Sequence, residues 1–306
     1  MQEVLGNAYE YASKYLERGV VADYIPELSK EDKYNLSGVI IDKDKKIYKV
    51  GNSEYKFSIQ SISKIATYLC VLENFDFEAI KRYVGVKPSA KPFNSIIELE
   101  LSNKNIPVNP FINAGAIICT SLLCDRFGKD AFNVILNHIK LLSGNDKLTY
   151  SDKIFRSEQR TSYANRALTY MMLNGNILSK TLDVEKLLEV YFKSCSVMVN
   201  TEDLANMSFV LSNDGMNTRG EQIFNQENMR IIRTVMATCG TYDYSGEFAI
   251  RIGIPAKSGV GGGIVTASKA GYGIAVYCPG LDSHGNSYAG MRMLNILSDS
   301  LKLSIY

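Results

Sequence analysis

Phe57-Ser-Ile-Gln-Ser-Ile-Ser-Lys-Ile-Ala-Thr-Tyr-Leu-Cys70 is the stretch from which the rest of this chain can be read. Within it, Ser61 and Lys64 stand one helical turn apart, so both side chains can face the same cleft. A serine in that relation to a lysine can be a nucleophile with its own base. Far downstream, Lys257-Ser-Gly-Val-Gly-Gly-Gly263 reads as a glycine-rich strand able to form the opposite wall. Small residues let such a strand pass close to a substrate. Lys257 would supply positive charge there, and the Val260 N–H could join that of Ser61 as an oxyanion hole. The pairing points to covalent acyl transfer without histidine, metal or cofactor.

Working outward, helical and strand-like periods alternate in an instructive order. Upstream, Val4, Leu5, Ala8, Tyr11, Ala12 and Tyr15 recur at helical spacing, with Gly19 as a stop. Leu36–Ile41 and Ile47–Val50 read as strands joined by the charged turn 42–46. Downstream of Ser61 the pattern is helical to about Gly240. Ile62, Ile65, Ala66, Leu69 and Leu72 mark one helix and 114–123 another. Asp183 is placed to cap 184–192, and Thr201 to cap 202–207. Strands are expected again at Phe248–Ile252, Gly263–Thr266 and Gly271–Tyr277, followed by a helix through Leu294, Leu297 and Leu301. Strands at both ends of a chain must find each other, because open sheet edges are costly. The expected fold is therefore α+β: an antiparallel sheet flanked by helices, built from 1–60 and 240–306, with an all-helical lobe, 61–239, inserted. The two lobes form a single catalytic unit, 1–306, with the site in the cleft between them.

Composition sets the class. The chain has 306 residues, 46% hydrophobic and 22% charged, with a net charge of +2. That is ordinary globular usage. It carries no electrostatic case for nucleic acid or an anionic membrane. No apolar run reaches the ~18 residues of a membrane span, and the N-terminus lacks the pattern of a signal peptide. The six cysteines are scattered among apolar neighbours and form no Cys-x-x-Cys pair. They read as buried thiols in a reducing, cytoplasmic setting. Only two histidines occur, His138 and His284; they offer no metal-binding spacing and neither has a setting that suggests a triad.

Ser-x-x-Lys alone is a weak signal, since Ser53-Glu-Tyr-Lys56 repeats it just upstream. Ser61 could simply cap a helix and Lys64 be a solvated first-turn lysine. Context separates the copies: Ser53 lies in a polar turn, whereas Ser61 opens a strongly apolar helix. There, burial, a helix N-terminus and a second cation would all favour a neutral Lys64. Tyr242, in the polar loop 239–246, could reach both serine and lysine. The glycines are not a phosphate loop, because the Gly-x-x-x-x-Gly-Lys spacing is absent.

Together with Val21-Ala-Asp-Tyr-Ile-Pro-Glu-Leu28, Asn109-Pro-Phe-Ile-Asn-Ala-Gly-Ala-Ile117, Ser157-Glu158, Tyr191-Phe-Lys-Ser-Cys-Ser196, Cys239-Gly-Thr-Tyr-Asp-Tyr-Ser-Gly246 and Gly285-Asn-Ser287, these segments resemble the serine-dependent glutaminases. The motifs run in the family's order along nearly the whole chain, which resembles its short bacterial form, without ankyrin repeats. The resemblance implies a fold like the serine β-lactamases and penicillin-binding proteins. It implies hydrolysis of L-glutamine to L-glutamate and ammonia, no cofactor, and assembly as a homodimer or homotetramer. Carried over residue by residue, it makes Ser61 the nucleophile and Lys64 the base, with Tyr242 and Lys257 beside them. It makes Tyr24, Ser61, Asn113, Glu158, Asn165, Tyr191, Tyr242 and Val260 the substrate contacts. Glu158 is the natural partner of the α-ammonium, and the asparagines and phenols can hold polar groups without adding charge. Two positions depart from the family pattern: Ala164 stands where arginine is common, removing a support for Asn165, and Thr241 replaces a common methionine. Asn113 could otherwise be merely a helix-start residue and Asn165 a surface one. The alternatives are a β-lactamase or D-alanyl peptidase on the same scaffold, or a glutamine-binding sensor that does not turn over.

Overall fold

The computed structural model describes residues 1–102 and 105–306. Strands β1 (Ser37–Ile41) and β2 (Ile47–Gly51) are joined by a turn in which the Asp42 carboxylate accepts the backbone N–H groups of Asp44 and Lys46, both at 2.9 Å. Two residues, Phe57–Ser58 (β3), pair with Met198–Val199 (β4) as a separate small ladder. From the far end come β5 (Ala256–Ser258), β6 (Gly263–Thr266) and β7 (Gly273–Tyr277). They complete a five-stranded antiparallel sheet in the order β2-β1-β7-β6-β5. The pairing of β1 with β7 joins chain segments more than 230 residues apart, as the open-edge argument expects.

The pleat sorts the two faces. Val39, Ala275, Val265 and Lys257 lie opposite one another in a single row across β1, β7, β6 and β5. Side chains in one row share a face. Val39, Val265 and Ala275 belong to the main core, so Lys257 is directed to that inner face. Ile40, Ile264, Ile274 and Val276 point to the outer face. That face is covered by α1 (Gln2–Ser13) and α13 (Tyr288–Leu301), which pack on each other and bury Leu5, Ala8, Met293, Leu294 and Leu297.

On the inner side stand α2 (Ser63–Asn74), the short α3 (Phe77–Ile80) and α4 (Ile96–Leu101), then α5 (Asn113–Phe127) and α6 (Ala131–Ser143). They are followed by α7 (Asp152–Thr161), α8 (Tyr163–Asn174), α9 (Val184–Cys195), α10 (Thr201–Ser212) and α11 (Gln226–Cys239). Helix α10 lies directly against β7, β6 and β1. Helix α2 is buried all round from Ser63 to Leu72, enclosed by α5, α6 and α11. Its apolar side chains, such as Ile65 and Leu69, each contribute roughly 1.5–3 kcal/mol by burial, so Lys64 sits on a firmly packed helix and Ser61 on the turn that leads into it.

Four sequence expectations are corrected. Phe248–Ile252 is not a strand: residues 245–251 form α12 (Ser245–Arg251). Phe248 and Ile252 are buried four residues apart while Ile250 is 88% exposed, so the apparent alternation was one face of a helix. Thr201 does not cap α10. Asn200 does, in a reciprocal capping box with Asp203, and Thr201 instead shares a buried hydrogen bond with Ser37 at 2.7 Å. The glycines after Ser258 form a turn, not a strand, and the strand resumes at Gly263. Ser61 does not open α2: it lies in a 3-10 turn, Gln60–Ile62, and the helix starts at Ser63. Asp183 caps α9 as expected, accepting the Lys186 N–H.

Candidate active site

The 3-10 turn holding Ser61 is bent by Gln60, whose φ of +47° places it in the left-handed region. Neither the Ser61 nor the Val260 N–H donates to a backbone carbonyl among the described residues. The glycine turn between β5 and β6 presses on this bend. A Cβ on Gly259 would lie 2.8 Å from the Ile59 carbonyl oxygen, and one on Gly261 2.4 Å from that of Ser58. Glycine at 259 and 261 therefore sets how closely the Lys257 strand approaches the turn that holds Ser61.

Lys64 is 1% exposed. Its ammonium donates to the Phe111 carbonyl at 3.1 Å and to Asn113 Oδ1 at 2.7 Å. Asn113 Nδ2 in turn donates to Asn165 Oδ1 at 2.8 Å. This chain orients both amides and leaves Asn165 Nδ2 as a donor for another group. Asn113 is indeed the first residue of α5, yet it is buried, as is Asn165, so neither is a plain helix-start or surface residue. Burial pushes the Lys64 amine down to about 8, against the pull of Cys195 and Glu158. Lys257 is fully buried; burial first and repulsion from Lys64 second hold it well below the ordinary lysine value, so the charge expected of it is strongly disfavoured. Its amine donates to the Ser258 carbonyl at 2.6 Å and lies 4.6 Å from the Tyr242 ring centroid.

Tyr242 has a left-handed backbone, φ +63°. Its hydroxyl donates to the Ser258 carbonyl at 3.1 Å and stands beside that of Ser61. Burial raises its pKa far enough to keep the phenol protonated, although Ser61 pulls the other way. Among the described residues the Ser61 hydroxyl is hydrogen-bonded neither to the Lys64 amine, which is engaged by Phe111 and Asn113, nor to the Tyr242 hydroxyl, which donates to Ser258.

Glu158, on α7, is 5% exposed, and its Oε2 has no hydrogen-bond partner. Burial raises the carboxyl to about 8, while Lys64 and the Gln60 amide pull it down. A buried acceptor left open is costly and marks a place for a donor or cation. Tyr191 on α9 is buried beside Cys195 and Glu158, and burial raises its phenol well above the ordinary value. Tyr24 is half exposed, yet burial of its phenol and the proximity of Tyr242 and Glu158 raise its pKa too. Its loop is tied to α7 by the Glu27 N–H donating to Ser157 Oγ at 3.2 Å. Tyr24, Phe93, Val260, Leu281 and His284 line a cavity of about 300 Å³ at the mouth. A larger groove of about 800 Å³ beside α6 and α9 holds none of these residues, so size alone would misplace the site.

The structure thus brings together Tyr24, Ser61, Lys64, Asn113, Glu158, Asn165, Tyr191, Tyr242, Lys257 and Val260, from segments far apart in the chain. Sequence reasoning missed Gln60, Phe93 and the Asp243–His284 pair. Only Gln60 had a visible signal, its place next to Ser61.

A family model described as Glutaminase matches residues 19–306. The chain belongs to the glutaminase family. It is 43% identical to the glutaminase of Clostridium tetani (strain Massachusetts / E88), with all of both chains covered. A solved probable glutaminase superposes with a TM-score of 0.93 at 34% identity, covering 100% of this chain and 97% of that one. Another, a probable glutaminase from Bacillus subtilis complexed with 6-diazo-5-oxo-L-norleucine, gives 0.89 at 30% identity, with the same coverage. The fold is thus the α+β, β-lactamase-like one of the glutaminases, and the protein is an amidohydrolase.

Proposed function

We propose that this glutaminase hydrolyses L-glutamine to L-glutamate and ammonia through a glutamyl-serine intermediate. One observation carries the reading: an unpartnered, buried Glu158 oxygen shares a cleft with Ser61 and a lysine whose pKa is about 8. A substrate with an ammonium at one end and an amide at the other fits that pairing. Glu158 takes the α-ammonium; Tyr24, Asn113, Asn165 and Tyr191 hold the remaining polar groups. Ser61 Oγ attacks the side-chain amide carbon as its proton passes to neutral Lys64, with the Tyr242 hydroxyl in the relay. The Ser61 and Val260 N–H groups stabilise the oxyanion. The C–N bond breaks as nitrogen takes a proton from the lysine–tyrosine pair, and ammonia leaves. Water, deprotonated by the same base, cleaves the ester and restores Ser61. Lys257 supports the tyrosine from its ring face.

The same reading takes the chain as one catalytic unit, with a sheet lobe (1–60 and 240–306) and a helical lobe (61–239). Six unpaired cysteines support a reducing, cytoplasmic compartment. Ile97, Leu101, Tyr163 and Tyr170, exposed on the neighbouring helices α4 and α8, support a homodimer or homotetramer, to be checked by sedimentation.

The test pairs wild type with Ser61→Ala. Wild type should release ammonia from glutamine, leave a chromogenic β-lactam unopened, and gain one 6-diazo-5-oxo-L-norleucine adduct on Ser61. The alanine variant should lose on the order of 10⁴ or more in kcat. Label on Ser53, or turnover surviving in Ser61→Ala, would refute the mechanism.

A further inference from the structure

Tyr242 is a bulky residue in the left-handed region, φ +63°. Such a conformation persists only where the surroundings hold it. The residues on either side of it are both gripped by one turn, 282–286. Asn286 Nδ2 donates to the Thr241 carbonyl at 3.4 Å, and His284 Nδ1 pairs with Asp243 Oδ1 at 3.0 Å. The turn is itself fastened by Asp282, whose Oδ1 accepts the His284 and Asn286 N–H groups, both at 2.9 Å. A Cβ on Gly285 would stand 3.6 Å from Tyr242 Cε2 and 3.6 Å from Val260 Cγ1, so the tip of the turn lies on the edge of the phenol ring. The Phe93 ring packs on Tyr242 with centroids 4.8 Å apart, and the His284 ring lies 5.1 Å from that of Tyr244. Among the described residues His284 makes no hydrogen bond to Ser61, Lys64 or Tyr242.

We propose that the 282–286 turn is a clamp that holds the Tyr242 hydroxyl at the Ser258 carbonyl, beside Ser61, with His284 as a positioning residue acting through Asp243. The inference rests on the role given to Tyr242 above. It assigns a task to a histidine whose sequence setting suggested none. Asn286 fixes the carbonyl before the tyrosine and His284 the side chain after it. Losing either contact lets the strained backbone relax and carries the hydroxyl away from the serine. The effect falls on the chemical step, because Glu158, Asn113 and Asn165 are held by other elements.

The test measures glutamine turnover at one pH for His284→Phe, which keeps a ring but no donor, and for His284→Asn, whose amide can replace Nδ1. His284→Phe should lower kcat about tenfold, the scale of one well-placed hydrogen bond, with KM changed less than about twofold. His284→Asn should recover most of the loss, and Asp243→Ala should reproduce it from the other partner. The same His284→Phe change in a Tyr242→Phe background should cost nothing more, read there by single-turnover labelling of Ser61. A wild-type kcat in His284→Phe, or an equal loss in the Tyr242→Phe background, would overturn the clamp. A wild-type kcat in Tyr242→Phe alone would overturn the underlying role of the tyrosine, and is told apart by that single variant.

Discussion

Replacing Glu158 by glutamine should separate recognition from stability. The side chain keeps its shape but loses the ability to carry a negative charge when a cation enters the cleft. In the free protein its Oε2 is buried without a partner, and the carboxyl is raised to about 8, chiefly by burial. On substrate binding, an α-ammonium at that oxygen would complete a desolvated charge pair. Breaking such a pair typically costs about 2–5 kcal/mol, or roughly 30-fold to several thousand-fold in kcat/KM. Stability should move the other way. The ordinary carboxyl pKa of 4.5 lies below the folded value of about 8. Between those pH values the unfolded chain sheds the proton and the folded chain keeps it, so the group destabilises the fold increasingly as pH rises through that window. The penalty at pH 8 is of the order of a few kcal/mol, since each pKa unit is worth about 1.4 kcal/mol. Glu158→Gln should therefore unfold later than wild type at pH 8 and nearly together with it at pH 4.5. The assays are ammonia release from glutamine and from its analogue lacking the α-amino group, with urea midpoints at several pH values. The variant should lose its factor on glutamine and little on the analogue. Equal loss on both compounds, or a midpoint gap that does not grow with pH, would refute the reasoning.

Three further outcomes are expected. Wild-type kcat/KM should rise with pH through an ionisation near 8, because Lys64 must be neutral to accept the serine proton and burial lowers it to about that value; Lys64→Met should abolish the rise along with most activity, and an unchanged profile would remove Lys64 as base. Gly261→Ala should lower kcat by at least about tenfold, since its Cβ would meet the Ser58 carbonyl oxygen at 2.4 Å and push the strand turn away from the turn that holds Ser61; wild-type turnover would show that this close approach does not matter. His138→Gln should reduce stability: its ring nitrogens pair with Glu73 at 2.6 Å and the Val134 carbonyl at 2.8 Å, and against burial the neighbouring Cys70 and Glu73 raise it to about 10. That contribution is complete below pH 6.5 and disappears as pH rises through about 10, so the wild-type advantage in urea midpoint should shrink over that range.

The glutaminase family was legible in the sequence because its motifs rest on residue types at short spacings. Ser61 and Lys64 are three positions apart on a segment whose apolar period is strong. The strand pairs at the two ends were readable as well, since alternation and a charged turn are local signals. The family's motifs, read in order, singled out Glu158, Asn165 and Tyr191, which no spacing argument would have joined. Local pattern failed where two periods fit the same short run, as at Phe248 and Ile252, and where neighbouring polar residues compete to cap, as at Asn200 and Thr201.

Only the tertiary structure decided how the parts engage. The sheet register, not the Lys-Ser-Gly motif, turns Lys257 inward, because facing is set by pairing with β6 and β7. Ser61 lies outside the helix that carries Lys64, because a left-handed Gln60 and a 3-10 turn delay the start of α2 to Ser63. Lys64 is engaged by Phe111 and Asn113, nearly fifty residues away in sequence. Asp243 and His284 come together through a turn that follows the last strand. Residue types and short periods are properties of a few neighbouring positions, so the sequence alone can state which groups are available. Their distances, orientations and protonation depend on what is packed around them, and that is settled only when segments from across the chain exclude water together.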